Sequence, residues 1–160
     1  MMQRGGGARF FGSYTNKIDA KGRLATPAAF RRVIDLERDN RIYCIPSTDN
    51  ACLECGGYEY VENLMAMIEE LDPYSPERIS LELTVASQMT PLTLDKEGRL
   101  NLTTELREHA GLEDKALFAG AIRSFQIWNP ATFKNKLAEA KKISGAAKLS
   151  LRNPPRAAAE

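Results

Sequence analysis

The sequence predicts an α+β fold in which two β-rich halves of similar plan pack about a pseudo-twofold. Each half closes the open sheet edges of the other into one β-barrel, and short helices flank it. Two observations carry this expectation. Asp19-Ala-Lys-Gly-Arg-Leu-Ala-Thr-Pro-Ala-Ala-Phe-Arg31 recurs 76 residues later as Asp95-Lys-Glu-Gly-Arg-Leu-Asn-Leu-Thr-Thr-Glu-Leu-Arg107, with five identities in thirteen positions. After each copy, β-prone runs and amphipathic runs then follow in a similar order.

Each copy reads as a hairpin running into a helix. Asp-x-x-Gly suits a type I turn whose left-handed glycine, Gly22 or Gly98, leads into the next strand without steric penalty. The carboxylate of Asp19 or Asp95 can accept N–H groups of the turn and fix its shape. Leu24-Ala25-Thr26 and Leu100-Asn101-Leu102 are the returning strands. Pro27 opens the next helix as a first-position proline, and Thr103-Thr104 does so through a hydroxyl cap.

Residues 1–9 hold three consecutive glycines and two arginines and read as a flexible basic leader. The first half spans residues 10–71. Phe10 to Ile18 is its first strand, and Ala28 to Leu36 is an amphipathic helix with Phe30, Val33, Ile34 and Leu36 opposite Arg31 and Arg32. Arg41 to Ile45 and Ala51 to Cys55 are strands on either side of a polar loop. Tyr58 to Leu71 spaces Val61, Leu64, Met65, Ile68 and Leu71 by threes and fours, which predicts a helix, and Met65 and Met67 read as core filler and surface.

Asp72-Pro-Tyr-Ser-Pro76 breaks that helix, and Ser75-Pro-Glu77 caps another running to about Gln88, within a linker of residues 72–90. The second half, residues 91–143, repeats the plan with strands at Pro91 to Leu94, Leu100 to Leu102, Ala116 to Ala119 and Ser124 to Trp128. A short helix from Thr104 to Ala110 stops at Gly111, and Asn129-Pro130 starts a last helix to about Ile143. Residues 144–160 mix Gly, Ala, Pro and basic residues without an apolar face and are expected to be disordered.

Hydrophobic residues at 43% and charged residues at 27% place the chain among ordinary soluble domains. It has no apolar run long enough to span a bilayer, and its start lacks the apolar core of a secretory signal, so a cytoplasmic protein is expected. The net charge is only +1, but it is segregated. Residues 1–32 carry seven Arg or Lys against one Asp, whereas residues 53–83 carry eight acids against Arg78. A basic face at the first hairpin suits a polyanion; scattered surface charge is the plainer alternative.

Cys44, Cys52 and Cys55 form an odd set, which argues against a disulfide framework. Cys52-Leu-Glu-Cys55 has metal-ligand spacing, but zinc needs four ligands and the single histidine, His109, lies in the other half. Small buried hydrophobes are the favoured reading, and no metal or cofactor is expected. Nor is an enzyme expected, since His109 has no partnered nucleophile at motif spacing and Gly5 to Gly7 follow no strand.

An Arg held by a rigid turn can read guanine O6 and N7 or clamp a phosphate. Arg23 and Arg99 can equally pair with Asp19 and Asp95 and staple the turn; the residues alone leave both roles open. Lys21 of the first copy is replaced by Glu97 in the second, and a carboxylate near phosphates is repulsive. The main DNA surface is therefore assigned to the first hairpin, with Arg23, Lys21, Lys17 and Asn16 as contacts and Arg99 secondary. Arg31 and Arg32 are further candidates for phosphates, and Arg31 could equally pair within the fold.

The run from Phe11 to Arg31, then Asp95-Lys-Glu-Gly-Arg-Leu, His109-Ala-Gly-Leu112, Gly120 and Phe125-Gln-Ile-Trp128, resembles the MraZ family. These are bacterial transcriptional regulators whose two halves each carry the Asp-x-x-x-Arg motif of AbrB-like swapped-hairpin proteins. The resemblance spans roughly residues 10 to 145. It implies an intramolecular AbrB-like barrel, assembly into a ring, and double-stranded DNA as partner, read at direct guanine-rich repeats upstream of the division and cell-wall gene cluster. A nucleoid-associated repressor acting also on its own gene is the expectation. The alternative is an AbrB-like antitoxin or protein-binding scaffold, against which the short, apolar-poor tail counts.

Overall fold

The computed structural model describes residues 9–36 and 38–156; most of the expected basic leader, residues 1–8, and the last residues of the expected tail, 157–160, lie outside them. The first half contains β1 (Ser13–Lys17), β2 (Arg23–Ala25), α1 (Ala28–Asp35), β3 (Arg41–Pro46), β4 (Cys52–Gly56) and α2 (Tyr58–Glu69). After α3 (Pro76–Leu81), the second half contains β5 (Thr90–Thr93), β6 (Arg99–Asn101), α4 (Thr104–His109), β7 (Lys115–Gly120) and β8 (Phe125–Trp128). A last helix, α5, spans Pro130–Ala147.

The halves exchange strands. Six strands form one antiparallel sheet in the order β1-β7-β8-β4-β3-β5, so β1 of the first half borders β7 of the second and β5 of the second borders β3 of the first. At the centre β4 meets β8, with Glu54 opposite Gln126. β2 and β6 pair with each other as a separate two-stranded ribbon. Read from either end, the order of strand types is the same, as the expected pseudo-twofold requires. The expected barrel is not formed. The sheet is open, with β1 and β5 as its edges, because the three-residue strands that could have continued it pair in the ribbon instead.

The internal repeat extends to burial. β3 and β7 alternate exposed and buried positions identically, as do β2 and β6. This period of two sends Leu24 and Leu100 inward and their neighbours outward. α1 contributes Phe30, Val33 and Ile34 to the shared core and α4 contributes Leu106. Phe30 is fully buried and packs on Phe10, Tyr14, Phe118 and Phe125 at centroid distances of 5.2, 5.5, 6.1 and 5.1 Å. Four ring contacts on one side chain tie β1, β7 and β8 to the helix after the first hairpin.

Helix starts follow the expected chemistry with one shift of register. Thr103 caps α4 through its hydroxyl, which accepts from Leu106 N at 3.2 Å. Ser75 caps α3 in the same way through Arg78 N, with Pro76 in the first turn. Pro27 stands at the cap of α1, one place earlier than expected.

The expected helix from Ser75 to Gln88 changes type halfway. α3 passes into a π-helical turn over Glu82–Ala86, with Ser87 N donating to Glu82 O at 3.2 Å. Thr84 Oγ1 donates to Ser80 O at 2.9 Å and the Ser87 hydroxyl to Leu83 O. Hydroxyls that bond back to these carbonyls favour a widened turn. Ile79 and Leu83 are exposed.

The main unit ends at Pro130 and a second compact unit begins at Ala131. In it α5 runs beyond the expected end to Ala147 and continues as a 3-10 turn over Lys148–Ser150, where composition predicts disorder. Alanines and lysines are strong helix formers, and Gly145 does not break the run.

Removing the Phe30 ring is expected to destabilise the main unit by about 3–5 kcal/mol, since no neighbour can fill a cavity shared by four rings. Equilibrium urea unfolding of Phe30→Ala measures this, with the conservative Phe30→Leu losing less.

Candidate nucleic-acid interface

The first turn is built by one carboxylate. Asp19 Oδ1 accepts from Lys21 N at 3.0 Å and Arg23 N at 2.9 Å, while Oδ2 accepts from Arg23 Nε at 2.6 Å. The backbone closes beneath it: Gly22 N donates to Asp19 O and Asp19 N to Arg23 O, both at 3.0 Å. Gly22 holds φ at +80°, so the turn is type I followed by a left-handed glycine, as predicted. These bonds, led by that from the Arg23 backbone, hold the Asp19 carboxyl below the ordinary carboxylate range, against the opposing effect of desolvation.

The second turn repeats this. Asp95 accepts from Glu97 N at 2.9 Å, Arg99 N at 2.8 Å and Arg99 Nε at 2.9 Å, and Gly98 holds φ at +75°. Its carboxyl is likewise lowered, chiefly by the Arg99 backbone bond.

Both arginines thus pair with their own turn aspartates. Stapling through Nε alone, however, leaves the two terminal nitrogens of Arg23 with no partner among the described residues. Arg99 is less free, because its Nη2 also donates to Glu97 Oε2 at 3.2 Å. The substitution of Lys21 by Glu97 therefore occupies the second guanidinium as well as reversing the charge beside it.

The ribbon brings the two turns together. In its register Arg23 faces Asn101 and Ala25 faces Arg99, with Leu24 and Leu100 buried on the other face. Arg23 and Arg99 share the outward face as diagonal neighbours, about 7–8 Å apart at their Cα atoms. Lys21 is exposed at the tip of the first turn and Lys17 is exposed at the end of β1. Asn16 serves the scaffold: its Nδ2 donates to Ala25 O at 2.7 Å and ties β1 to β2.

Sequence reasoning missed how the turns are held from the opposite half. Thr26 N donates to Gly98 O at 3.0 Å and Leu102 N to Gly22 O at 3.1 Å. The arginine that closes each copy of the repeat packs on the other copy's glycine. A Cβ on Gly98 would stand 2.6 Å from Arg31 Cδ, and one on Gly22 would stand 3.2 Å from Arg107 Cζ. The repeat contained the signal, a Gly and an Arg shared by both copies, but not the crossing.

The Cys52-x-x-Cys55 spacing builds no chelate. Three positions along a strand put the two side chains on opposite faces, and Cys55 meets Cys44 instead, with sulfurs 3.3 Å apart. All three thiols are buried and outside any disulfide, and burial pushes the Cys55 thiol up, away from the reactive thiolate. Among the described residues no group of three or more His, Cys, Asp or Glu is placed to hold a metal, and no helix is long and apolar enough to cross a membrane.

Residues 86–152 match the model of the family described as "MraZ protein, putative antitoxin-like". The chain is 44% identical over 138 residues to a transcriptional regulator MraZ of Rickettsia bellii, covering 86% of this chain and 92% of that one. It is 40% identical over 144 residues to the proteins of the same name from Rickettsia canadensis and Rickettsia rickettsii, covering 90% of this chain and 97% of each.

A carboxyl held below its unfolded value contributes stability above the ordinary carboxylate range and loses it as pH falls through the lower folded value. Asp19→Asn/Asp95→Asn is therefore expected to lose thermal stability less steeply than the unaltered chain between about pH 4 and pH 2. Melting curves across that range test it.

Proposed function

The chain belongs to the MraZ family of transcriptional regulators, and on that premise we propose that it is a sequence-specific DNA-binding repressor that docks the outward face of the β2–β6 ribbon on duplex DNA. The observation that carries this is the first turn, where Arg23 is aimed by Asp19 yet keeps both terminal nitrogens without a partner among the described residues, beside exposed Lys21. A two-stranded ribbon fits the major groove, and a guanidinium with two free terminal nitrogens can bond guanine O6 and N7. Lys21 and Lys17 supply phosphate attraction. The family is one of regulators, not of enzymes.

One ribbon spans few base pairs, so a single contact of this size binds weakly. A ring of identical subunits on direct guanine-rich repeats converts weak single sites into avidity, provided the repeat spacing matches the subunit spacing. The proposed operator lies upstream of the division and cell-wall gene cluster that includes the protein's own gene, which places the protein in the cytoplasm at the nucleoid. Asn16 acts through the scaffold in this reading, and Arg99 is a secondary contact damped by Glu97.

Arg23→Ala is expected to abolish binding to the duplex upstream of the protein's own gene while leaving its size-exclusion profile unchanged; unaltered affinity in a gel shift would defeat the assignment. Glu97→Lys, which gives the second turn the lysine that the first has at position 21 and releases Arg99 Nη2, is expected to tighten binding severalfold at low salt. Weaker binding by that variant would place the second turn away from the DNA.

A further inference from the structure

Arg107 follows Arg23 by 84 residues and belongs to α4 in the other half, yet it lies against the first turn. A Cβ on Gly22 would stand 3.2 Å from its Cζ and 3.3 Å from its Nε. The glycine therefore does more than allow a left-handed φ, since it also leaves room for a guanidinium brought in from outside the hairpin. Arg107 Nε is buried and has no hydrogen-bond partner among the described residues. Its Nη2 reaches a single neutral acceptor, Thr104 Oγ1, at 3.3 Å. No ion pair of Arg107 exists among the described residues.

A guanidinium packed in place without a carboxylate is an unneutralised, partly desolvated cation, and such a group gains most from an incoming anion. Its neighbourhood selects which anion. The first turn presents Lys21 and Arg23 with one acid, Asp19, which is already committed to three hydrogen bonds within the turn. The equivalent arginine of the first half, Arg31, packs on Gly98 in different surroundings. It lines a cleft of about 250 Å³ with Asp35, Asp95 and Lys96, and the second turn adds Glu97. Pseudo-symmetry thus gives each turn a crossing arginine, but only the first turn combines it with a cationic surface.

We infer that Arg107 is a DNA-backbone phosphate contact of the first turn, supplied by the opposite half, and that it positions this turn by packing on Gly22. The inference rests on the proposal that the first hairpin binds DNA, and it adds a residue that the linear motif does not contain. Because a phosphate contact carries no sequence information, its loss weakens all duplexes alike and makes binding less dependent on salt.

The test measures fluorescence anisotropy on two duplexes, one from upstream of the protein's own gene and a scrambled duplex of equal length, across a salt series. Arg107→Gln is expected to bind both about tenfold more weakly, with a salt slope shallower by about one. Arg107→Lys keeps the charge and is expected to keep the slope, and Arg31→Gln is expected to stay within about twofold of the unaltered protein. Circular dichroism and size exclusion verify that each variant is folded and assembled; should Arg107→Gln not fold, Arg107→Met, which keeps an unbranched side chain against Gly22 and removes the charge, takes its place with the same expected loss and the same overturning result. Unchanged affinity and slope in Arg107→Gln, with Arg23→Ala inactive, would overturn this inference alone. Arg107→Gln and Arg23→Ala both without effect would overturn the hairpin reading together with it. A loss in Arg31→Gln equal to that in Arg107→Gln would overturn the assignment to the first turn.

Discussion

Neither half of this chain can satisfy its own backbone. β1 finds its sheet partner in β7 and β5 finds its partner in β3, while β2 and β6 pair with each other. An unpaired strand exposes a row of donors and acceptors, so each half alone would present open edges where the intact chain has ladders. The crossing bonds from Thr26 N to Gly98 O and from Leu102 N to Gly22 O extend this dependence to the turns. The two hairpins take their final shape together, and contacts of such long sequence separation make a slow-forming topology.

This dependence explains why the arginines can be displayed. A short hairpin in water is marginally stable by itself. Here the ribbon lies on a core in which Leu24 and Leu100 are fully buried, so the strand period leaves Arg23 and Arg99 no choice but to face outward. The aspartates then limit how far each guanidinium can swing, and the crossing arginines rest on the glycines beneath. Orientation at the surface is thus inherited from burial on the opposite side of the same two strands. A side chain ordered in advance loses less conformational entropy when it binds.

Duplication within one chain also permits divergence. A symmetric dimer of a single half would carry two equal turns, whereas here the first keeps Lys21 beside a guanidinium bonded through Nε, and the second turns Glu97 onto Arg99. The fold is nearly indifferent to this change because both positions are exposed at turn tips. Electrostatics is not indifferent, since like-signed neighbours add at the first turn and cancel at the second. One scaffold can therefore present two surfaces of unequal affinity for an anion.

The local pattern determined a good deal: the repeat, the type I turn with its left-handed glycine, the aspartate that clamps it, the hydroxyl caps of α3 and α4 and the alternating strands. Each depends on residues within a few positions of one another, where backbone sterics and side-chain period leave few choices. The tertiary structure alone decided which strands pair. Two halves with the same pattern offer equivalent edges, and neither composition nor spacing distinguishes a closed barrel from an open sheet with a separate ribbon. It also set Asn16 to bracing β1 against β2, paired Cys55 with Cys44 and laid Arg107 across Gly22. Those contacts join residues whose separation along the chain carries no local signal, so packing was the first level at which they could exist.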